Sequence, residues 1–388
     1  MSNIPSISRV SISNYKSIRG CDVSLEPITF LVGPNGVGKS NFLEALRFLS
    51  YGLSTSLQEA LASRDGFDCI LHKGADPTTG LSILVHFRLD EQTAGKYAVR
   101  LNAQSDGRVC VVNEDCSIES PFGREWYNVR NGEVSGSYGV LPAVYSDKLY
   151  LVNASGVPAF EPVHRALSSF TVYNPVPDEI RGFKPRTAYG KLDRLGRSLA
   201  QMVLKLKTQA PERFASVVDY LEKINPTVRG VDAESVDNNF YLRFQLDYGR
   251  GAREEFPSQN ISDGTLRALA VLVALFQAND RWLLNVIGLE EPEAGLHPAA
   301  AGVLFDSLIE ASHNRQIIVT SHSPDLLDRD VIPENSIRAV TMHDGATVIG
   351  EIDEAGKTAL KERLYTAGEL LRMNQLRPEG KPDFTDVR

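Results

Sequence analysis

The stretch Ile28 to Leu46, ITFLVGPNGVGKSNFLEAL, decides the fold that we expect for this chain. Its first five residues are apolar or β-branched and predict a buried strand, and the residues from Ser40 onward predict a helix. The segment between them, Gly33 to Ser40, satisfies the pattern G-x-x-x-x-G-K-[ST]. Glycines let the backbone approach a polyphosphate closely, and amide groups at a helix N-terminus point at the anion. The stretch therefore predicts a nucleotide-binding loop.

Each position of this loop has an expected task. Lys39 would reach the β- and γ-phosphates, and Ser40 would give its hydroxyl to Mg²⁺. The other residues expected to contact the nucleotide are Gly33, Pro34, Asn35, Gly36, Val37, Gly38 and Asn41. ATP and Mg²⁺ are accordingly the predicted cofactors.

The composition narrows the classes of function. At 388 residues, the chain is long enough for two lobes or for one nucleotide domain with insertions. It has no run of eighteen apolar residues, and its polar start is unlike a signal peptide, so we expect a cytoplasmic protein with no membrane partner. The four cysteines are scattered, which favours buried reduced thiols over a zinc site.

The net charge of −8 argues against a protein coated with positive charge for nucleic acid. One segment breaks the trend, because Arg181 to Lys207 carries eight basic residues and one acidic residue, Asp193. A basic strip on an acidic body is a candidate contact for a DNA backbone. A solvated helix face is the alternative interpretation of the same segment.

Alternating and helical periodicities predict the order of the remaining elements. In chain order they are two strands within 6–32 joined by Lys16 to Gly20, a helix over Asn41 to Gly52, a further turn at Leu57 to Ala62, an antiparallel sheet within 70–170, an irregular connector over Pro158 to Pro185, helical structure over Lys191 to Ile224, and a strand over Tyr241 to Leu246. No heptad pattern is long enough for a coiled coil.

A second small-residue loop, Ser262-Asp263-Gly264-Thr265, opens a strongly apolar helix. It is a second candidate anion site at a helix N-terminus. Taken alone, it is equally well explained as an ordinary N-cap.

Two adjacent carboxylates, Glu290 and Glu291, follow an apolar strand predicted over Trp282 to Leu289. Carboxylates at the end of a buried strand are costly to desolvate unless a cation or a proton offsets their charge. Glu290 would hold Mg²⁺, and Glu291 would orient and deprotonate the attacking water.

A last strand is predicted over Gln316 to Thr320 and is followed directly by Ser321-His322-Ser323-Pro324. His322 then lies just beyond the carboxyl end of a strand, where the ligands of parallel α/β sheets gather. There it would hydrogen-bond the γ-phosphate or the attacking water.

The order of these motifs resembles that of a soluble ABC-type ATPase of the SMC, RecF and OLD-like group. The segment NYKSIRG…ITFLVGPNGVGKSNFLEAL is similar to the heads of SMC proteins and RecF, and EEPEAGLHP and VTSHSPDLLD are similar to small ATPases related to OLD proteins. The resemblance implies a Walker A motif at Gly33 to Ser40, a signature loop at Ile261 to Thr265, a Walker B glutamate at Glu290, a catalytic Glu291, a D-loop near Ala294 to His297 and a switch histidine at His322.

The chain departs from this family pattern at three points. Glu290 stands where aspartate is usual, and the signature reads SDGT where a serine and two glycines are usual. No clear Q-loop glutamine is present, and His72 is only a weak candidate for that role.

The expected fold class is α/β, with an ABC-ATPase-like P-loop domain of a mixed sheet flanked by helices and an inserted β-rich and helical lobe. We expect the core in 1–70 and 240–345, the inserted lobe in 71–239, and a C-terminal extension in 346–388.

The resemblance also implies a function. In such ATPases the signature loop of one subunit closes over the ATP of the other, which predicts a homodimer in the ATP state and leaves larger assemblies open. The segment after His322 is too short for the TOPRIM domain of OLD nucleases, so the predicted partner is a separate effector such as a nuclease, in defence against phage or foreign DNA. The alternatives are a RecF-like ATPase that binds DNA in repair, and a degenerate cassette that scarcely hydrolyses ATP.

Overall fold

The computed structural model describes residues 5–74, 80–104, 106–186, 190–249, 253–277, 286–329 and 332–379. The strands are β1 (Ser6–Tyr15), β2 (Ile18–Ser24), β3 (Ile28–Val32), β4 (Leu81–Arg88), β5 (Ala94–Ala103), β6 (Val109–Ser120), β7 (Gly123–Arg130), β8 (Glu133–Gly136), β9 (Thr171–Tyr173), β10 (Lys184–Pro185), β11 (Val228–Val236), β12 (Asn239–Leu246), β13 (Glu254–Pro257), β14 (Val286–Glu290), β15 (Gln316–Ser321), β16 (Ile337–His343) and β17 (Ala346–Glu351).

The helices are α1 (Lys39–Ser54), α2 (Leu57–Ala62), α3 (Phe67–Ile70), α4 (Tyr150–Ala154), α5 (Glu161–Ser168), α6 (Pro177–Ile180), α7 (Leu199–Gln209), α8 (Pro211–Ile224), α9 (Asp263–Phe276), α10 (Pro298–Ser312), α11 (Pro324–Leu327), α12 (Glu354–Lys361) and α13 (Ala367–Arg372). Mixed sheets packed with helices confirm the predicted α/β class.

A six-stranded sheet forms the centre, in the order β17-β16-β3-β15-β14-β9. All its neighbouring strands pair in parallel except β16 and β17, which are antiparallel. Every residue of β3 is buried, as expected for a strand covered on both faces. The carboxyl ends of β3, β15, β14 and β9 meet at one edge, where α/β proteins bind their ligands.

The two faces of this sheet belong to two separate hydrophobic cores. Leu31 and Ile318 point to the core that contains α1 and the seven-stranded sheet described below. Their neighbours Phe30 and Ile317 point the other way, to the core that contains α9 and α10. Because successive side chains of a strand alternate between faces, α1 and α9 lie on opposite sides of the central sheet.

A seven-stranded antiparallel sheet, in the order β2-β1-β4-β5-β6-β7-β8, covers the α1 side. The predicted antiparallel sheet is therefore confirmed for β4 to β8, and it continues into β1 and β2. The prediction of two strands within 6–32 was wrong, because three are present. Only Lys16 and Ser17 turn the chain, with Lys16 at a φ of 49°, and β2 begins at Ile18.

The region of residues 150–198 differs most from the predictions. Helices α4 and α5 lie within the range predicted as sheet, and the connector predicted over Pro158 to Pro185 contains α5, β9 and α6. Two of its prolines stand in the first turn of a helix, where proline is tolerated, so they do not mark irregular structure. The helix predicted from Lys191 begins only at Leu199, because the Asp193 carboxylate accepts from the amides of Leu195 and Ser198 and forms a turn.

Other elements agree with the predictions. Helix α1 extends the predicted helix at both ends, and α2, β12 and β15 form where expected. Of the strand predicted over Trp282 to Leu289, residues 286–289 lie in β14, and 282–285 lie outside the described residues. The division into a core and an inserted lobe stays a prediction.

The described ranges contain no helix that is both long enough and apolar enough to cross a membrane. The expectation of buried thiols holds for Cys21 and Cys116, whereas Cys110 is half-buried and Cys69 is exposed.

A buried carboxylate, Glu114 on β6, joins the seven-stranded sheet to α4. It accepts hydrogen bonds from the backbone amides of Tyr150 and Leu151 and from the hydroxyl of Tyr127, over 2.6 to 2.9 Å. These donors favour the ionised form, but burial outweighs them and raises the pKa of Glu114 to about 7. Helix α4 in turn contacts α1, so this carboxylate supports the helix that follows the phosphate loop.

The titration of Glu114 should appear in the stability of the protein. The unfolded carboxyl titrates near pH 4.5, so between that value and about 7 the folded protein keeps a proton that the unfolded chain has lost. The free energy of unfolding should therefore fall by up to about 3 kcal/mol as pH rises through this window. Urea unfolding at a series of pH values measures this slope. Glu114→Gln should flatten it, and an unchanged slope in the variant would contradict the assignment.

Candidate nucleotide site

The loop Gly33 to Ser40 has the backbone that a phosphate cradle requires. Gly36 and Gly38 have φ angles of 81° and 98°, in the left-handed region that favours glycine. A Cβ atom at Gly38 would lie 2.0 Å from Oγ1 of Thr347 and 2.5 Å from Oγ of Ser17. Glycine is therefore required at this position both by conformation and by space.

Lys39 begins α1, and its side chain folds back over the loop. Its Nζ donates to the carbonyl oxygens of Gly33 and Pro34, each at 2.8 Å. The residue is only 4% exposed, and burial lowers its pKa, against the opposing effect of the Glu291 and Glu293 carboxylates. Phosphate oxygens would be stronger acceptors for this ammonium group than two neutral carbonyls.

The remaining loop residues divide into two groups. Pro34, Asn35, Gly36 and Ser40 are exposed, whereas Val37 is buried and its carbonyl accepts from Oγ1 of Thr347 at 2.8 Å. Asn41, which is predicted to contact the nucleotide, donates through Nδ2 to Oγ of Ser17 at 2.7 Å. The Asn41 side chain thus anchors the loop to the turn between β1 and β2.

Glu290 ends β14, and two side chains that the sequence analysis did not assign contact it. Asn174, immediately after β9, donates through Nδ2 to Oε2 at 3.0 Å, and Nη2 of Arg194 lies 3.4 Å from Oε1. Asn174 directly follows β9, the strand that pairs with β14. Because β9 has only three residues, the sequence pattern did not identify it as a strand, and the position of Asn174 at a strand end was missed. His72, the weak Q-loop candidate, contacts the carbonyl of Lys16 in the β1–β2 turn.

The structure brings Glu291 and His322 together. Oε1 of Glu291 lies 3.0 Å from Nδ1 of His322, without the alignment of a hydrogen bond. Glu291 has a φ of 43°, and its amide donates to the carbonyl of Thr320 at 3.0 Å. A left-handed conformation costs a residue with a side chain about 1–2 kcal/mol, and strain of this kind collects at functional sites.

Glu293 is a further acidic residue of the site that the sequence analysis did not assign. It is 6% exposed, and its Oε1 accepts from Oγ of Ser321 at 2.5 Å. Oγ of Ser321 in turn accepts from the amide of Ser323 at 3.0 Å, so Glu293 ties the loop after β14 to the loop that carries His322. Its other oxygen, Oε2, is buried with no hydrogen-bond partner among the described residues, and burial raises the pKa of Glu293.

The donor set fits Mg²⁺ as a companion of ATP. The described residues contain no group of three or more His, Cys, Asp or Glu side chains that could hold a metal ion by themselves. Mg²⁺ in nucleotide sites is held by one or two protein oxygens together with phosphates and water. Ser40 and Glu290 would supply those protein oxygens, and the ion would neutralise phosphate charge.

The loop Ser262 to Gly264 opens α9. Oγ of Ser262 caps the helix by accepting from the amide of Thr265 at 3.4 Å. Asp263 makes an ion pair with Arg181 at 2.5 Å, which offsets the charge that this aspartate adds to the loop. A Cβ atom at Gly264 would lie 2.5 Å from the carbonyl oxygen of Gly295, so this glycine lets the loop pack directly on the segment after Glu291.

The comparisons with known proteins agree with this geometry. Residues 6–133 match the family described as AAA ATPase domain, and residues 143–328 match AAA domain, putative AbiEii toxin, Type IV TA system. The OLD nuclease of Thermus scotoductus is 24% identical over 91% of this chain and 66% of its own length, and the Old nuclease of Escherichia phage P2 is 23% identical over 83% and 57%. The RecF protein of Vibrio vulnificus is 32% identical over 26% of this chain and 25% of its own length.

Two solved structures share the fold. An Smc head bound to the C-winged helix domain of ScpA has a TM-score of 0.56 at 15% identity, over 90% of this chain and 99% of that chain. The Smc head of Pyrococcus furiosus with an extended coiled coil has a TM-score of 0.54 at 14% identity, over 93% and 100%.

The chain carries an AAA-family ATPase domain, with sequence similarity to OLD and RecF proteins and with the fold of Smc heads. This ATPase spans a quarter of the RecF relative and 57% to 66% of the two OLD relatives. Nucleotide binding follows from the ATPase domain, whereas the roles of single residues stay predictions.

Lys39→Ala should weaken ATP binding by about 100-fold, because two charge-assisted contacts to phosphate are lost together. Isothermal titration with Mg²⁺·ATP measures the change. Lys39→Arg is the matched variant that keeps the charge, and it should bind more tightly than Lys39→Ala. If Lys39→Ala keeps the affinity of the wild type, the loop is not the phosphate site.

Proposed function

We propose that this ATPase forms a head-to-tail homodimer around two molecules of Mg²⁺·ATP. The observation that supports it is the placement of α1 and α9 on opposite faces of the central sheet. Gly33 to Ser40 surrounds the phosphates from one side, and the loop Ser262 to Gly264 belongs to a helix on the other side. Because these two helix N-termini lie on opposite faces of the sheet, both can contact one γ-phosphate most directly when they come from two different subunits.

We propose the following roles at each composite site. Lys39 and Ser40 bind the phosphates and Mg²⁺, and Glu290 completes the metal site. Glu291 orients the attacking water and accepts its proton, while His322, 3.0 Å from Glu291, holds the water or the γ-phosphate. Phosphoryl transfer needs mainly positioning and neutralisation of charge, which these groups supply.

The ATP cycle would switch a separate effector protein. We propose an effector such as a nuclease, acting in the cytoplasm against phage or foreign DNA. Similarity to two OLD nucleases over 83% and 91% of this chain supports this role, as does the match to a family described by a putative toxin. Binding of ATP would tighten the dimer and hydrolysis would loosen it. The effector would therefore meet a different surface of the ATPase in each of the two nucleotide states.

The alternative is a RecF-like ATPase that binds DNA in repair, and the RecF similarity over 26% of the chain supports it. Its predicted contact, the basic segment from Arg181 to Lys207, includes 187–189, which lie outside the described residues. Among the described residues, at least four of its eight cations form ion pairs with acidic side chains, namely Arg181 with Asp178 and Asp263, Arg194 with Glu290, Arg197 with Glu179, and Lys207 with Asp232. These pairs reduce the attraction for phosphate and favour the first proposal.

Glu291→Gln should bind ATP, stall hydrolysis and trap the dimer, because the glutamine keeps the shape of the site but cannot accept the proton. The mass in solution, measured by light scattering with and without Mg²⁺·ATP, should double on addition of nucleotide. Turnover near the wild-type rate would mean that the base is another residue. A short DNA duplex in the same experiment should leave the mass unchanged, and co-migration of DNA would favour the RecF-like alternative.

A second variant isolates the composite site. Asp263→Trp in the Glu291→Gln background places a bulky uncharged side chain in the loop that would face the partner, and the Asp263 side chain is 73% exposed, so the fold should tolerate the change. Each subunit should still bind ATP, but the ATP-dependent dimer should weaken by at least about tenfold. A dimer of unchanged strength would mean that this loop lies outside the interface.

A further inference from the structure

Arg194 occupies a distinctive position beside the predicted metal ligand. It belongs to the turn between Lys191 and Ser198, which leads directly into α7. The backbone of this turn is bonded to the segment after β9, because the carbonyl of Arg194 accepts from the amide of Asn174 at 2.9 Å and the carbonyl of Leu195 accepts from that of Val176 at 3.0 Å. The turn therefore holds the guanidinium against the edge of the central sheet.

The Glu290 carboxylate needs a counter-charge. Its side chain is only 13% exposed, and an ionised carboxylate at that depth is costly unless it is paired. Asn174 donates one hydrogen bond to it but carries no charge. Of the described residues, Arg194 is the cation that forms an ion pair with it, whereas the nearby Arg47 directs its guanidinium to both oxygens of Glu44.

The contact between Arg194 and Glu290 is poorly bonded for an arginine. Nη2 of Arg194 lies 3.4 Å from the carboxylate, longer than the usual 2.7–2.9 Å of a charge-assisted bond. Nε of Arg194 is buried and has no hydrogen-bond partner among the described residues. The pair compensates the charge of Glu290 without the bidentate geometry that would make it permanent.

The turn around Arg194 is held by its own hydrogen bonds and by close packing. The Asp193 carboxylate bonds two amides within it, and Oγ of Ser198 donates to the carbonyl of Lys191. Gly196 has a φ of 86°, and a Cβ atom there would lie 2.9 Å from Cγ1 of Ile180. Helix α7, which follows, packs on α8, β11 and β12.

We propose that Arg194 is a positioning residue that acts as an internal counter-cation of Glu290, and that Mg²⁺ arriving with ATP displaces it. This inference rests on the proposed role of Glu290 as a metal ligand. Two cations cannot share the same carboxylate at full strength, so metal binding and the Arg194 contact compete. Displacement frees the guanidinium from Glu290, whereas the backbone hydrogen bonds of the turn to Asn174 and Val176 stay in place.

The decisive experiment compares the contribution of Mg²⁺ to ATP affinity in two proteins that do not hydrolyse ATP. ATP binding is measured with Mg²⁺ and with EDTA, for Glu291→Gln and for Glu291→Gln combined with Arg194→Gln. Removal of the competitor should increase the gain in affinity from Mg²⁺ by at least about fivefold. A gain that is unchanged or smaller overturns the proposal.

Arg197→Gln is the matched control, because Arg197 lies in the same turn but pairs with the exposed Glu179. It should leave the Mg²⁺ gain unchanged. Arg194→Lys keeps the charge and should give an intermediate gain in affinity from Mg²⁺. This variant replaces Arg194→Gln in the comparison if Arg194→Gln folds poorly. An equal change in the Arg197 control would mean that the turn, and not the guanidinium, carries the effect, and would overturn the proposal.

A second measurement needs no nucleotide. Thermal unfolding of Arg194→Gln, Glu290→Gln and the double variant should show non-additive losses, with the double variant no less stable than the Glu290 single variant by more than about 1 °C. Additive losses overturn the proposal even if ATP dimerises the protein. Conversely, non-additive losses with no dimer at any ATP concentration would contradict the proposed function and leave the Arg194 contact in place.

Discussion

The central sheet is buried on both faces, and this constraint fixes where polar chemistry can occur. Strands β3, β9, β14, β15 and β16 present apolar side chains to both cores, so a charged group within one of them would be desolvated on either side. The charged groups of the candidate site gather at the edge where the parallel strands end. Glu290 ends β14, Glu291 and His322 directly follow β14 and β15, and Lys39 begins the helix after the loop that follows β3. The site is thus a consequence of the way in which the core is packed.

The charged side chains at the carboxyl edge of the central sheet are compensated by neighbouring residues that sequence motifs do not identify. Glu290 has Arg194 and Asn174, and the buried Glu293 has a serine on one oxygen and no partner described for the other. Lys39 lies within the electrostatic reach of Glu291 and Glu293 and bonds backbone carbonyls. Such groups are held by few strong contacts, so an arriving polyphosphate with its cation can exchange partners without breaking a packed core.

The features that the sequence predicted depend on residues close together in the chain, whereas the features that it missed depend on residues far apart. Strand β3, helix α1 and the loops of Ser262 and His322 follow from local patterns, because periodicity and glycine spacing act over a few residues. Asn174 and Arg194 meet Glu290 across 116 and 96 residues of chain, and no local pattern marks them. The prolines of 158–185 predicted irregular structure wrongly, because proline is tolerated in the first turn of a helix and breaks a helix only in its interior. The departure from Ser-Gly-Gly at Asp263 was visible in the sequence, but its ion pair with Arg181 was not.

Opposite placement of α1 and α9 has a mechanical consequence for a nucleotide switch. Each helix packs in its own core, so a force applied at one N-terminus reaches the other only through the sheet between them. Closely packed cores transmit displacement but deform little. Polar contacts at the strand ends join the loops there, through Glu293 to Ser321 and through Arg194 to Glu290. Under the proposed function, a change in phosphate charge would act at the edge that carries both contacts, and the central sheet would pass its effect to the helices on either face.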